Sequence, residues 1–325
     1  PTEVQPTPIM LGAEVAPLAE QQVYVSTTLV MAPVGSGLGE IGFKTFGPEL
    51  PMIATVFTVD KAGNVYIVDP VNQRVVQFES QGRFVRNVSY SDGTGFWLPS
   101  LIVADEVRGR VYLYYDDPAP WTGGVYCYDL EGHLLQRYPT PSWFWQNHIP
   151  KMRVDQEGTL WVEGQGSYPN APVIEGESYR TVVVPLGKAG DVFDEERQKG
   201  LAVPGHMLEN GQTYISYAPT AAGSSFLYDS QGRRTHELAP GRGLLAIDRW
   251  GNWYVLGYDL IKPGSSGRLY KYNQEAKEVA SFDLPVGPMV VDEIGTVYCL
   301  IWDREKESGY RVIRWQAVRA PMPQD

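Results

Sequence analysis

The side chains best suited to recognition chemistry in this chain are aromatic: Phe96-Trp97, Trp121 and the run Trp143-Phe144-Trp145, with Tyr168 and Tyr179 further on. Exposed rings of this kind stack on sugars or anchor a partner protein; unexposed, they plug gaps between loops. Asp116-Asp117, between Tyr115 and Pro118, offers oxygen ligands for Ca²⁺ or acceptors for a polyol, and reads equally as a solvated turn. His148, beside Asn147, and His206 could ligate a metal or serve as an acid–base pair. His133 and His236 fall elsewhere in the pattern, so no set of three histidines converges. The expected ligand-binding set is therefore Trp97, Asp116, Asp117, Trp121, Trp143, Trp145, His148, Tyr168 and His206. No catalytic residue is assigned, no cofactor is expected, and Ca²⁺ is the one metal the acidic pair suggests.

Familiar enzyme signatures are missing. Gly37, Gly39 and Gly42 match a dinucleotide-binding glycine pattern by letter, but no amphipathic helix follows them. There is no G-x-S-x-G, C-x-x-C or H-E-x-x-H.

What must position these residues is a repeat. The stretch Phe57 to Phe84 alternates apolar and polar side chains and reverses at Gly63-Asn64, Asp69-Pro70 and Gln81-Gly82, which favours short antiparallel strands. An apolar run ending in an acid, then glycine, then a Tyr or Trp strand, recurs at Asp60, Asp105, Asp155, Asp248 and Asp292, with a degraded copy at Glu209 and Tyr214. Copies 39 to 54 residues apart belong to propeller blades. One such sheet stays wet on a face, so it needs its copies. The aromatic of each second strand (Tyr66, Tyr112, Trp161, Tyr214, Tyr254, Tyr298) reads as a packing layer, and the acid as an acceptor for turn N–H groups.

This pattern resembles the NHL-repeat type of six-bladed β-propeller over nearly the whole chain. Asp60, Gly63-Asn64, Tyr66, Asp69, Asn72, Arg74 and Phe78 carry the likeness best; later copies lose the Asn-x-Arg element. The resemblance implies an all-β fold of six four-stranded antiparallel blades. The last copy lacks a fourth strand of its own, and Gln22 to Val30 is an orphan strand, so the N-terminal strand is expected to complete the last blade. Domains follow: a flexible tail over 1–20 and the propeller over 21–325. Tight turns then share one face, and the long connections 90–99, 116–124, 139–149, 164–179, 218–225 and 257–267 share the other, where function is expected.

The fold type implies two functional classes. The main expectation is a non-enzymatic scaffold that binds a protein or glycan through the long-loop face. The alternative is a hydrolase or lactonase with an axial site, similar to the gluconolactonase and strictosidine-synthase-like propellers. In the former family Glu, Asn and Asp near the inner-strand starts hold a metal. Five or six residues before each repeat acid this chain has no carboxylate, and Asn147 is the nearest ligand-like residue.

Composition narrows the partners. A net charge of −11 without a Lys/Arg run repels phosphate backbones and argues against nucleic acid. Cys127 and Cys299 fall in non-adjacent copies and read as buried free thiols. No apolar run is long enough to span a bilayer. The Pro/Thr/Gln-rich start suggests a spacer behind an export signal or a lipid anchor, hence an extracytoplasmic, secreted or lipid-anchored bacterial protein.

Overall fold

The computed structural model describes residues 22–46, 50–90, 98–116, 123–144, 149, 151–166, 180–204, 206–207, 213–217, 225–228, 234–238, 242–257, 267–275, 277–285, 287–303 and 309–319. The fold is an all-β propeller of four-stranded antiparallel blades. Sheet 1 runs through Phe57–Val59, Val65–Asp69, Arg74–Phe78 and Phe84–Ser89, in that spatial order. Sheet 2 comprises Pro99–Asp105, Arg110–Tyr115, Gly124–Asp129 and Leu134–Pro139; sheet 3, Lys151–Val154, Thr159–Gly166, Arg180–Lys188 and Val203–Pro204. Sheet 4 is formed by His206–Met207, Thr213–Tyr217, Ser225–Tyr228 and Arg234–Leu238, and sheet 5 by Arg242–Ile247, Trp253–Gly257, Gly267–Tyr272 and Glu278–Leu284. Sheet 6 takes Met289–Val291, Val297–Trp302 and Tyr310–Arg319 from the end of the chain and Gln22–Ala32 from its start.

The first strand pairs antiparallel with Tyr310–Arg319 from Gln22↔Arg319 to Ala32↔Tyr310. Its inward residues Val30 and Ala32 join Tyr298, Leu300, Tyr310 and Val312 of sheet 6 in one core with Val65, Ile67, Val76 and Phe78 of sheet 1. On its other side, sheet 6 packs through Val297, Cys299 and Trp315 on Ala246, Tyr254, Leu256 and Leu269 of sheet 5. Tyr24, near the start of the first strand, stacks on Phe282 of sheet 5 at 4.4 Å between ring centroids. Parallel seams of apolar side chains join sheet 1 to sheet 2 and sheet 2 to sheet 3.

Gly82, in a tight turn of sheet 1 at φ 83°, lies against Leu29 of the first strand, and a Cβ there would overlap the Leu29 carbonyl oxygen. Gly82→Ala should therefore cost more than the usual ~1 kcal/mol for an unsuitable turn residue, read as a lowered denaturant midpoint.

Three features were not foreseen. A two-stranded ribbon, Lys44–Phe46 with Leu50–Met52, lies in the Gly/Pro-rich connection ahead of sheet 1. A short helix, Glu195–Gly200, precedes the outer strand of sheet 3, which shrinks to two residues; buried Gln198 ties the helix to the Leu186 carbonyl at 2.9 Å. Asp194 caps it by accepting the Arg197 N–H. Sheet 4 opens on the two residues His206–Met207; the degraded acid at 209 lies outside the described residues, as does the expected tail over 1–20.

Both cysteines are buried and unpaired, as expected. Burial pushes the thiol of Cys127 up to about 11 and that of Cys299 to about 12, so neither is a nucleophile at neutral pH.

Candidate functional site

The recurring acids are fully used by their own turns. Asp60 accepts the Ala62 and Asn64 N–H groups at 3.0 and 2.8 Å and the Tyr66 hydroxyl at 3.0 Å. Asp155 accepts from Glu157 and Thr159 N–H, both at 2.9 Å, and from Trp161 Nε1 at 2.8 Å. Asp248 and Asp292 repeat this with Tyr254 and Tyr298, at 3.2 and 3.3 Å. A glycine at positive φ follows in each turn (Gly63, Gly158, Gly251, Gly295), where a Cβ would be strained. Sheet 2 departs: Asp105 instead caps a 3₁₀ turn by accepting the Arg108 N–H. The described first turns are thus spent on structure.

At Asp155, burial raises the carboxyl, but hydrogen bonds from Trp161, Thr159 and Glu157, with the charge of Arg153, outweigh it and hold the group below the usual range. A lowered folded-state value means stability that is present above the unfolded value and lost as pH falls through the folded one. Trp161→Phe should move this titration upward, so stability falls near neutrality and depends less on acid pH. Urea midpoints measured across pH 3–7 check this.

On the opposite, long-loop face, two of the expected site residues have described side chains. Asp116 is exposed where the second strand of sheet 2 ends, with the Tyr114 hydroxyl donating to it at 3.4 Å. That hydroxyl also accepts the Ile149 N–H at 3.2 Å, tying sheet 2 to the approach to sheet 3. Trp143 is half-buried, edge-to-face with Phe144 at 4.7 Å, and packs on the core between sheets 2 and 3. That is the gap-filling arrangement, not a free stacking platform. Phe144 in turn lies against Gly164, where a Cβ would overlap its ring. His206 lies on the first strand of sheet 4. Trp97, Asp117, Trp121, Trp145, His148 and Tyr168 lie outside the described residues.

A second group was missed. In sheet 3, Lys151 pairs across the strands with Glu163, and Arg153 with Trp161, so these four side chains share one face. Met152 and Val162, on the other face, join the core with sheet 2. The charged face is therefore turned from sheet 2, and the first strand of sheet 4 lies against the second and third strands of sheet 3. Glu163 is buried at 5% exposure; Lys151 and Arg153 are half-buried.

At the level of Lys151 sheets 1, 2, 5 and 6 carry Val56, Leu101, Gly243 and Pro288; at that of Arg153, Thr58, Val103, Ala246 and Val290; at that of Glu163, Val68, Tyr114, Leu256 and Leu300; sheet 4 sets His206, paired with Tyr214, at the level of Arg153. Three charges replace uncharged side chains in one sheet. Lys151 and Glu163 lie at the end of the sheet facing the long loops; Asp155 closes the opposite end. A sequence signal exists: Lys151 stands four positions before the repeat acid Asp155, one residue nearer to it than the positions where a metal-binding carboxylate is expected. Among the described residues, no group of three or more His, Cys, Asp and Glu side chains could hold a metal ion.

No family model and no curated protein matches the chain. Among solved structures, a member of the DUF4221 family from Bacteroides vulgatus aligns with a TM-score of 0.51 at 8% identity, covering 93% of this chain and 100% of that one. A gluconolactonase from Xanthomonas campestris aligns at 0.47 and 13% identity, covering 92% of each chain. A virginiamycin B lyase from Staphylococcus aureus aligns at 0.46 and 7%, covering 91% of this chain and 100% of that one. Identities this low concern the fold alone, which is the propeller already described.

Proposed function

We propose that the six sheets form one ring, closed by the first strand, and that the protein handles a small polar molecule at the axial end of its long-loop face. The chemistry proposed is hydrolysis of an ester or lactone. What supports this is the charged face of sheet 3: burying a carboxylate such as Glu163 costs several kcal/mol before pairing, and sheets 1, 2, 5 and 6 carry uncharged side chains at the levels of Glu163, Lys151 and Arg153. Function is the usual reason to keep such a departure.

In the proposed step Glu163 takes a proton from water while the water oxygen adds to the carbonyl carbon. Lys151 and Arg153 stabilise the developing oxyanion, the bond to the leaving oxygen breaks, and Glu163 returns the proton to it. The products are an acid and an alcohol. A panel of lactones and p-nitrophenyl esters, assayed with the purified protein and with Glu163→Gln, tests this. We expect turnover of at least one substrate and a loss of roughly 10²-fold or more in the variant. No turnover above the uncatalysed rate across the panel, or full activity in Glu163→Gln, would contradict the proposal.

A second reading, a protein or glycan partner on the same face, is favoured by the exposure of Asp116 beside the long connection of sheet 2. A glycan array and a pull-down with Asp116→Ala as control address it. A partner captured equally by wild type and variant would remove Asp116 from the contact.

A further inference from the structure

We infer that the outer edge of the first strand is an interface on which a second copy of this chain pairs, strand to antiparallel strand, about a two-fold axis. The inference rests on the pairing of the first strand with sheet 6 and needs neither the ring nor the hydrolysis proposed above. Gln22–Ala32 is the last strand of its sheet, and among the described residues nothing pairs with its outer side. The turn at Gly82 lies against the Leu29 carbonyl, so the open run is Val23 to Thr28. All of these residues but the half-buried Tyr24 are exposed, Val23 and Val25 at 45% and 49%.

An open edge invites pairing with another chain, and folded proteins blunt it with charges, proline or a very short strand. Every other sheet does so. The outer strand carries Arg86 in sheet 1, Arg137 and Pro139 in sheet 2, Arg234 and Glu237 in sheet 4, and Glu278 and Asp283 in sheet 5, while in sheet 3 it shrinks to Val203–Pro204. The 11-residue outer strand of sheet 6 has no charge and no proline, and its shift of register, between Thr28 and Val30, lies beyond the open run. The occupant follows from charge and symmetry. Two copies at net charge −11 repel, so they meet at least cost where the surface is neutral or basic. The open run is uncharged, and the strand beside it, Tyr310–Arg319, has arginines at 311, 314 and 319 and no acid; Asp303 pairs with Arg311 at 3.8 Å. Against a foreign strand the main chain alone gives no selectivity, whereas against its own kind the edge is complementary by symmetry. An axis at Val25 sets Val25 against its counterpart and Val23 against Thr27, which covers the exposed valines.

Sedimentation velocity on the full chain, from low to high micromolar concentration, tests the inference. The wild type should be a dimer. Val25→Lys, which sets two ammonium groups face to face, should raise the dimer dissociation constant by about tenfold or more while the circular-dichroism melt stays cooperative. If Val25→Lys fails to fold, Thr27→Lys, at an exposed position on the same face, decides in its place. A wild type that stays monomeric throughout, or a dimer that the folded variant leaves unchanged, would overturn the inference. So would a monomeric wild type whose form lacking residues 1–20 dimerises, because the edge would then be covered by the chain's own leading residues.

Discussion

A chain lacking residues 1–35 should fail to give a cooperative thermal transition and should associate in solution. The truncation removes an edge strand that pairs with Tyr310–Arg319 through ten residues, so the N–H and C=O groups on that side of the ladder would meet water or another chain. It also takes Val30 and Ala32, at 0% and 1% exposure, out of the core between sheets 6 and 1, and Tyr24 from its stack on sheet 5. Burial of one large apolar side chain contributes about 2 kcal/mol, and ladder and stacking losses add to it. The total approaches the ~5–15 kcal/mol that holds a whole domain. Circular dichroism melts with size-exclusion chromatography would register this. An unchanged Tm and a monomer peak would mean that the first strand is dispensable.

Asp69→Ala should cost about 3–5 kcal/mol, because it strands a buried guanidinium. Asp69 is fully buried; Arg74, at 7% exposure, donates from Nε to it at 3.0 Å, and Asn72 Nδ2 donates to it at 2.7 Å. The same guanidinium donates to the carbonyls of Ser36 and Glu40 at 2.9 and 2.8 Å, fastening the Gly-rich connection between the first strand and sheet 1. Removing both charges with Asp69→Ala/Arg74→Met should recover part of the loss, since the unpaired charge is the larger penalty. Urea unfolding of the two singles and the double closes the cycle. A double variant as unstable as the sum of the singles would show that the pair contributes no coupling, and that Arg74 acts only through the loop carbonyls.

Most of the architecture was legible because each copy repeats its own hydrogen-bond logic. The acid, the glycine two or three residues on and the aromatic six residues on are one local unit: Asp60, Gly63 and Tyr66 can be read from spacing alone since the carboxylate needs nothing outside its turn. The pairing of Gln22–Ala32 with the last strand followed from a strand without a sheet and a sheet without a strand. The helix Glu195–Gly200 escaped notice because a six-residue helix has almost no period of its own and is held by tertiary contacts such as Gln198 to Leu186.

The site was less legible. The aromatic residues of the long connections carry the plainest sequence signal, yet Trp143 spends its ring on Phe144 and the core between sheets 2 and 3. Lys151, Arg153 and Glu163 look like ordinary charges in two half-polar strands. Only the pairing register puts them on a single face, at levels where Leu101, Val103 and Tyr114 stand in the preceding sheet.

The proposed site takes its ligand from the long-loop end of the axis and not from the tight turns. Cys127 and Cys299 are buried with raised thiol values, so a single introduced cysteine can be alkylated selectively. Ser100, exposed at the start of the inner strand of sheet 2, samples the first end; Ala62, exposed at a turn tip of sheet 1, samples the second. Capping Ser100→Cys with a bulky maleimide should abolish turnover of the lactones and p-nitrophenyl esters, while capping Ala62→Cys should leave it intact. The reverse pattern, or equal loss at both, would contradict the account.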